Sequence, residues 1–435
     1  MPPPQDSITR TPLTRPVNGT ITPPGSKSIT NRALLCAAFA EGTTNLYGVL
    51  NSEDTQVMVN ALASLSTTIT GDIQKGALSL SGNHFDKQGK NTQKYIPIFV
   101  ENSGTTIRFL TAALAIRGGR YLLDGIERMR DRPIGDLLEA LSKIGCQVRS
   151  LKKPGCPPVQ IDPHGELLRE TVVRGNISSQ YLSGLLMAAP LSQTSLSIRV
   201  EGELVSRPYI TMTTEVMKAF GVTVDYTPDL SSFYIPAEAS YQGTDYSIEP
   251  DASAASYFWA AAAITNGTVT VCGLHQNSLQ GDIDFCGVLQ KMGAVVDYQE
   301  KAITVTGKSL HGIDIDMGTI SDTVQTLAAV ALFAKGKTTI TGVAHNRHKE
   351  TDRITDLATE LRKLGATVEE SSDGLSITPP QKIEPTIIET YNDHRMAMSL
   401  ALVGLRVPGI TILNPGCTAK TYPNFFNDLA SLCGE

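Results

Sequence analysis

The chain has no apolar run long enough to cross a membrane; the longest, YFWAAAAI, falls far below spanning length. It has no surplus of positive charge. Its formal net charge is −6, so no overall basic field draws it to nucleic acid or to a membrane surface, and any anion site must be built locally. It has no CxxC pair. The seven cysteines (Cys36, Cys146, Cys156, Cys272, Cys286, Cys417 and Cys433) are odd in number and scattered, which favours reduced, buried thiols over a disulfide framework. The opening residues, MPPPQDSITRTPLTRP, lack the apolar core of a secretory signal, so a cytoplasmic protein is expected. Ser/Gly linkers, charge runs and low-complexity segments are also missing. What remains is an ordinary composition over 435 residues, enough for two large cores.

What is present is a pattern that recurs six times. An alanine-rich apolar helix pattern is followed by a strand-like run, a polar cluster, an amphipathic helix and a second strand, in units of about 70 residues. The first parts read NRALLCAAFAEGTTNLYGV, TIRFLTAALAIRGGRYLLDG, SQYLSGLLMAAPLSQTSLSIRV, ASYFWAAAAITNGTVTVCG, TVQTLAAVALFAKGKTTITG and DHRMAMSLALVGLRVPGITIL. Helices apolar on every side are buried, whereas DLLEALSKI and DLATELRKL have the two-faced pattern of a surface layer. The later helices end in LSKIGCQV, MKAFGVTV, LQKMGAVV, LRKLGATV and, more loosely, NALASLSTTIT. A glycine after an apolar pair stops a helix, and the β-branched residue beyond it starts a strand. The least regular stretches are 152–158 and 226–246. The second falls between three units and three, and is the expected crossover between two α/β lobes with a cleft between them.

Charged residues gather at one phase of the repeat, just before a helix, which suggests helix starts arranged around an anionic ligand. The first unit has Gly25-Ser26-Lys27-Ser28-Ile29-Thr30-Asn31-Arg32, where Ser28 or Thr30 can cap the helix and Lys27 and Arg32 can hold a phosphate or carboxylate. The spacing is not that of a P-loop. A capped helix with solvated cations would contain the same residues. The second unit has Asn102-Ser103-Gly104 and then Arg128 to Pro133, and the third has Ser178-Ser179-Gln180 and Ser206-Arg207. In the fifth, Asp322 opens the buried helix, a routine place for a dipole partner. Lys349 and Arg353, four apart, are expected on one helical face with Glu350 alongside. The sixth unit opens Asn392-Asp393-His394-Arg395 and closes near Lys420. His345 and His348 make an HxxH without a fixed third ligand, too weak a pattern for a metal, and none is expected.

Eight segments, PGSKSITNRAL, NSGTTIRFL, RMRDRPI, SSQYLSGLLMAAPL, EPDASAASYF, HKETDRI, NDHRMAMSLAL and CTAKTYP, occur in this order. With them the chain resembles the 5-enolpyruvylshikimate-3-phosphate synthase family of enolpyruvyl transferases, from about Pro16 to Leu432. The resemblance implies two similar lobes, each of three βαβαββ units with parallel buried helices (an inside-out α/β barrel), and an active site in the interlobe cleft. On this reading residues 23–245 form a continuous lobe, and residues 1–22 with 246–435 a discontinuous one. The implied activity transfers the enolpyruvyl group of phosphoenolpyruvate to the 5-hydroxyl of shikimate 3-phosphate, with no cofactor. Glyphosate would compete in the phosphoenolpyruvate pocket. The partners implied are those two small substrates, with no nucleic acid and no membrane, and the protein is expected to be a monomer.

The resemblance also implies residue roles. Lys27 would touch both substrates. Ser28, Arg32, Ser178, Ser179, Gln180, Ser206, Asp322 and Lys349 would contact shikimate 3-phosphate. Gly104, Arg132, Gln180, Arg353, Arg395 and Lys420 would surround phosphoenolpyruvate. Asp322, Glu350 and Lys27 would carry the catalysis, Asp322 at the reacting hydroxyl and Glu350 as proton donor to the methylene carbon. Two departures stand out: Phe109 where familiar members have proline, and His345-Asn346 where they often have asparagine and tryptophan. Phe109 is expected to influence phosphoenolpyruvate while leaving shikimate 3-phosphate nearly untouched. Three rivals share the scaffold. A UDP-N-acetylglucosamine enolpyruvyl transferase would carry a cysteine between Gly125 and Pro133, and this chain has none. A cyclase of RNA ends sits poorly with the net acidity. A non-catalytic binding protein would have lost part of the charged set, which is complete here.

Overall fold

In a computed structural model, residues 6–82 and 94–434 are described. The chain divides into two compact lobes: Gly25–Ile248 is continuous, and Met1–Pro24 joins Glu249–Glu435 in the other.

The second repeat displays the unit in full. Strand Ile96–Phe99 leads into the buried helix Gly104–Arg117 and returns as Tyr121–Asp124, parallel to the first strand with Ile96 opposite Tyr121. The amphipathic helix Gly135–Lys143 follows, then the antiparallel pair Gln147–Ser150 and Val159–Asp162, which completes a four-stranded sheet. The third repeat (from Glu170) and the fifth (from Asp314) have the same order of strands and helices. The division into helix types follows the side chains. Every residue of Ala252–Thr265 is buried, and so is every residue of Gly104–Ile116, because neither carries a polar face. In Gly135–Lys143 only the stripe Leu137, Leu138, Ala140 and Leu141 is buried.

The first and fourth repeats borrow their leading strands. Asp245–Ser247, which follows the third repeat, pairs in parallel with Thr43–Tyr47 of the first. Asn18–Ile21, which precedes the first repeat, pairs in parallel with Thr268–Cys272 of the fourth. These two strands carry the chain between lobes. The irregular stretch 226–246 is therefore only partly a crossover. Its first half forms the closing hairpin of the third repeat, Asp225–Tyr226 with Ser232–Ile235, around a turn in which Asp229 and Thr227 accept hydrogen bonds from the Ser231 amide. Turn residues hid a short strand pair.

The sixth repeat is abbreviated. Its strands Ile387–Ile388 and Thr411–Leu413 flank the helix His394–Ala401, and Ser7–Thr9 from the start of the chain fills the antiparallel place with Ile8 opposite Ile412. No helix among the described residues is long and apolar enough to cross a membrane. All seven cysteines are free, six of them buried, and burial pushes the Cys36 thiol up to about 12.

Hydroxyls tie the buried helices of the discontinuous lobe together. Ser256, Thr326 and Ser399 come from three different helices, and Thr326 Oγ1 lies 3.1 Å from Ser256 and 3.2 Å from Ser399. Small side chains permit this approach. The continuous lobe has a comparable close contact, where a Cβ on Gly184 would lie 3.2 Å from the Arg108 carbonyl oxygen.

The helix stops read from sequence have a common backbone cause. Gly145, Gly221, Gly293 and Gly365 each stand two residues beyond an amphipathic helix, in the left-handed region at φ 99°, 86°, 112° and 91°. The first repeat has Ser66 in that place, at φ 70°. A side chain there costs about 1–2 kcal/mol relative to glycine. Ser66→Gly is expected to raise the thermal melting midpoint through a gain of about 1 kcal/mol; an unchanged or lower midpoint would contradict the cap assignment.

Candidate active site

Helices without a polar face collect most of their polar groups at their ends, and here many of the predicted residues sit at or just before helix starts, Arg32 and Lys420 excepted. In the continuous lobe three serines cap the three buried helices. Ser26 accepts the amide of Ile29, Ser103 that of Thr106 and Ser178 that of Gln180. The cap of the first helix is thus Ser26, not Ser28 or Thr30. Pro23-Pro24-Gly25 keeps the chain extended as far as Ser26, so the helix begins at Lys27. Ser28 lies inside the first turn, and Thr30 instead accepts the Leu50 amide.

Gly104, Arg132 and Gln180 are brought together, with Asn102 and Arg108 beside them. Arg132 is buried and donates to the carbonyl oxygen of Asn102 at 3.0 Å and to its side-chain oxygen at 3.3 Å. Arg108 bridges to Gln180 Oε1 at 2.6 Å and to the Pro133 carbonyl at 2.9 Å. A Cβ on Gly104 would lie 2.6 Å from Arg132 Nη2 and 2.9 Å from Arg108 Nη1, so glycine is what admits both guanidinium groups to this helix start. Arg108 was legible only as one more residue of an apolar helix; its partner is 72 positions away.

Lys27 lies 3.9 Å from Asp54. Arg32 is placed deeper. It donates to Thr213 Oγ1, the Ser28 carbonyl, Ser183 Oγ and the Tyr209 carbonyl, and burial pulls its pKa down to about 10. Its guanidinium also lies over the Phe109 ring, 5.2 Å from the centroid. Phe109 therefore packs against a residue that the resemblance assigns to shikimate 3-phosphate. Ser179 is buried beside the Ser178 cap, and Ser206 is buried at φ 53° ahead of the helix Pro208–Ala219.

In the discontinuous lobe the predicted residues converge on Asp322. Oδ1 lies 3.2 Å from Arg353 Nη1 and 3.6 Å from Lys349 Nζ, and Oδ2 lies 2.8 Å from Arg395 Nη2. Arg353 also meets Glu350 at 2.8 Å and Asp393 at 2.7 Å. Lys420 Nζ stands 4.0 Å from Glu350. Lys349 and Arg353 do not share a helix. Asp352 accepts the amides of Ile354 and Thr355, so the helix starts only at Thr355, and Lys349 to Arg353 form the loop before it. Asp322 serves these cations rather than capping its helix.

Electrostatics follows from this crowding. Burial would lower the Arg353 pKa, but Asp393, Glu350 and Asp322 outweigh it and raise it. Burial lowers Lys349, with Asp322 opposing and Arg353 reinforcing. His345, hydrogen-bonded to Ser321 Oγ at 2.9 Å, is pushed down to about 3 by burial and by Lys349, so it is a neutral imidazole at neutral pH. Asp393 was missed as a partner of Arg353. In sequence it reads as the helix cap it also is, accepting the Arg395 amide at 2.8 Å. Among the described residues no group of His, Cys, Asp and Glu is arranged to hold a metal ion. What the two arrangements offer is several guanidinium and ammonium groups for anions with more than one charge, and carboxylates beside them for proton transfer.

A family model described as EPSP synthase (3-phosphoshikimate 1-carboxyvinyltransferase) matches residues 13–429. A 3-phosphoshikimate 1-carboxyvinyltransferase of Erwinia tasmaniensis is 46% identical over 431 residues, covering 98% of this chain and 99% of the relative. The chloroplastic 3-phosphoshikimate 1-carboxyvinyltransferase 1 of Nicotiana tabacum is also 46% identical, over 95% of this chain and 82% of its own length. Among solved structures, EPSP synthase from Acinetobacter baumannii superposes with a TM-score of 0.81 at 26% identity, covering 98% of each chain. The enolpyruvyl transferase NikO from Streptomyces tendae, at 17% identity and a TM-score of 0.79 over 99% of this chain and 98% of its own, shares the fold.

The Arg353–Asp393 pair is almost wholly buried, at 2% and 0% side-chain exposure. Asp393→Asn would leave a buried guanidinium short of one charge and is expected to cost about 3 kcal/mol. Chemical denaturation of the variant checks this; a loss below about 0.5 kcal/mol, the scale of an exposed pair, would contradict it.

Proposed function

The chain belongs to the EPSP synthase (3-phosphoshikimate 1-carboxyvinyltransferase) family, and on that premise we infer how its two sets of charged groups divide one reaction. The enzyme transfers the enolpyruvyl group of phosphoenolpyruvate to the 5-hydroxyl of shikimate 3-phosphate and releases inorganic phosphate. The observation that carries the assignment of roles is the meeting of Lys349, Arg353 and Arg395 on the single carboxylate of Asp322.

Two multiply charged anions repel one another, so cations must offset that repulsion before any chemistry begins. Arg353, Arg395 and Lys420 bind phosphoenolpyruvate, as do Lys27, Arg132, Gln180 and the backbone at Gly104. Ser178, Ser179, Ser206, Ser28, Arg32, Gln180, Lys27 and Lys349 bind shikimate 3-phosphate. Asp322 accepts the proton of the 5-hydroxyl as its oxygen attacks the central carbon of phosphoenolpyruvate. Glu350 delivers a proton to the methylene carbon, the step that makes the central carbon electrophilic. Glu350 is paired with Arg353 and faces Lys420. When phosphoenolpyruvate takes over those cations, the carboxylate loses its compensation and protonation becomes favourable. The tetrahedral intermediate then returns a methyl proton to the Glu350 carboxylate and expels phosphate, which restores the enol ether carbon–carbon double bond. Lys27 steadies the charge common to both substrates.

Asp322→Asn is expected to lower kcat by about 10²-fold or more with substrate affinities nearly kept, the scale of a lost general base. Gly104→Ala should instead raise KM for phosphoenolpyruvate by about tenfold, because the added methyl displaces Arg132 and Arg108 from a charge-assisted site. A coupled assay of phosphate release, with each substrate alone and then both, tests the whole reading. No release from the pair would overturn it, and near-normal turnover in Asp322→Asn would remove that residue from the chemistry.

A further inference from the structure

One buried acid has no part in the reaction as written. Asp282 lies in the short turn Gly281–Asp284, 5% exposed, against the start of the buried helix Ala252–Thr265. Ser253, in the first turn of that helix, donates its hydroxyl to Asp282 Oδ2. Oδ1 is buried with no hydrogen-bond partner among the described residues. An ionised carboxylate with one oxygen unmet in a dry site is disfavoured, whereas the acid form needs far less solvation.

The charges around it tie it to the substrate cations. Asp322 and Asp251 oppose its ionisation, and Arg395 favours it. Asp284 on the same turn and Lys291 on the following helix Phe285–Lys291 both point to exposed positions and contribute little. Burial first, and Asp322 second, push Asp282 up to about 7. Arg395 meanwhile is hydrogen-bonded to Asp322 at 2.8 Å and to the Tyr257 hydroxyl at 3.4 Å, and Tyr257 stands one turn beyond Ser253 on the same buried helix, so Asp282 and Arg395 meet that helix at adjacent turns.

We propose that Asp282 is a positioning residue that takes up a proton from solvent when phosphoenolpyruvate reaches Arg395 and returns it when the site empties. This rests on the reading of Arg395 as a phosphoenolpyruvate ligand. An arriving anion engages Arg395 and adds negative charge beside Asp282, and both effects favour the protonated acid. By linkage, the ligand binds the protonated form better, and its affinity falls as pH rises through neutrality. A one-unit change at Asp282 on binding corresponds to about tenfold in affinity. The ligand's own phosphate ionises in the same range but acts in the opposite direction, since the more charged ligand binds cations better.

The test is KM for phosphoenolpyruvate at saturating shikimate 3-phosphate, between about pH 6 and pH 8.5, a span set to bracket a neutral titration. Asp282→Asn is a permanent neutral mimic that still accepts from Ser253. The ratio of wild-type to variant KM cancels the ionisation of the ligand and is expected to climb from about 1 at the acid end to about 10 at the alkaline end. Ser253→Ala removes a hydrogen bond that favours the anion, so it should move the wild-type rise to higher pH. A role in packing alone would change KM or kcat by a constant factor at every pH. A flat ratio for Asp282→Asn, or an unmoved rise in Ser253→Ala, overturns the inference while leaving the transferase reading intact. A wild-type chain that does not turn over phosphoenolpyruvate with shikimate 3-phosphate overturns both.

Discussion

A helix buried on every side has no face on which to carry a charge, and this constraint organises the molecule. The helices Lys27–Phe39, Gly104–Arg117 and Ala252–Thr265 are packed with alanine, leucine and small hydroxyl residues over almost their whole length. Apart from Arg32 and Arg108, whose guanidinium groups are met by hydrogen bonds, their polar requirement gathers at the ends, where the first amides of each helix lack intrahelical acceptors. Serine or aspartate caps meet that need at Ser26, Ser103, Ser178, Asp251 and Asp393. The same ends carry the positive pole of the helix dipole, a setting in which anions are held most readily. Fold and anion chemistry therefore share one cause.

The cations at these ends are themselves half-buried or buried, which creates a second requirement. Removing a guanidinium from water is costly unless its donors are met. In the discontinuous lobe Asp322, Glu350 and Asp393 meet them, so the charges are compensated within the lobe itself. Arg32 shows the other solution. Its donors are satisfied by hydroxyl and carbonyl oxygens of its own lobe and its face by Phe109, so it is a rigid fixture of the core as well as a cation.

The exchanged strands explain how a chain of repeats closes into two bodies. A βαβαββ repeat whose leading strand is missing exposes an unpaired edge. Strand 245–247 supplies that edge to the first repeat, and strand 18–21 supplies it to the fourth. Each crossing is thus also a pairing, and the shortened sixth repeat is completed by the opening strand 7–9.

By itself the sequence determined the repeat, the two kinds of helix and their stops, because these depend on neighbours a few residues apart. Apolar composition alone distinguishes LAAVALFA from DLATELRKL, and the glycine that closes KLG or KIG is a left-handed residue in both places. The motif order likewise pointed to the family. Tertiary structure decided what local pattern could not: that Ser26 rather than Ser28 caps the first helix, that Lys349 and Arg353 lie on a loop, and that Phe109 lies beneath Arg32. It also decided the partners. Asp393 looks like a cap in the chain and becomes the counter-ion of Arg353, forty positions away, only once two repeats pack together. Asp282 has no motif at all, since its character comes from burial and from charges on other elements. Propensity acts along the chain and is legible there, whereas desolvation and ion pairing act through space and exist only in the folded molecule.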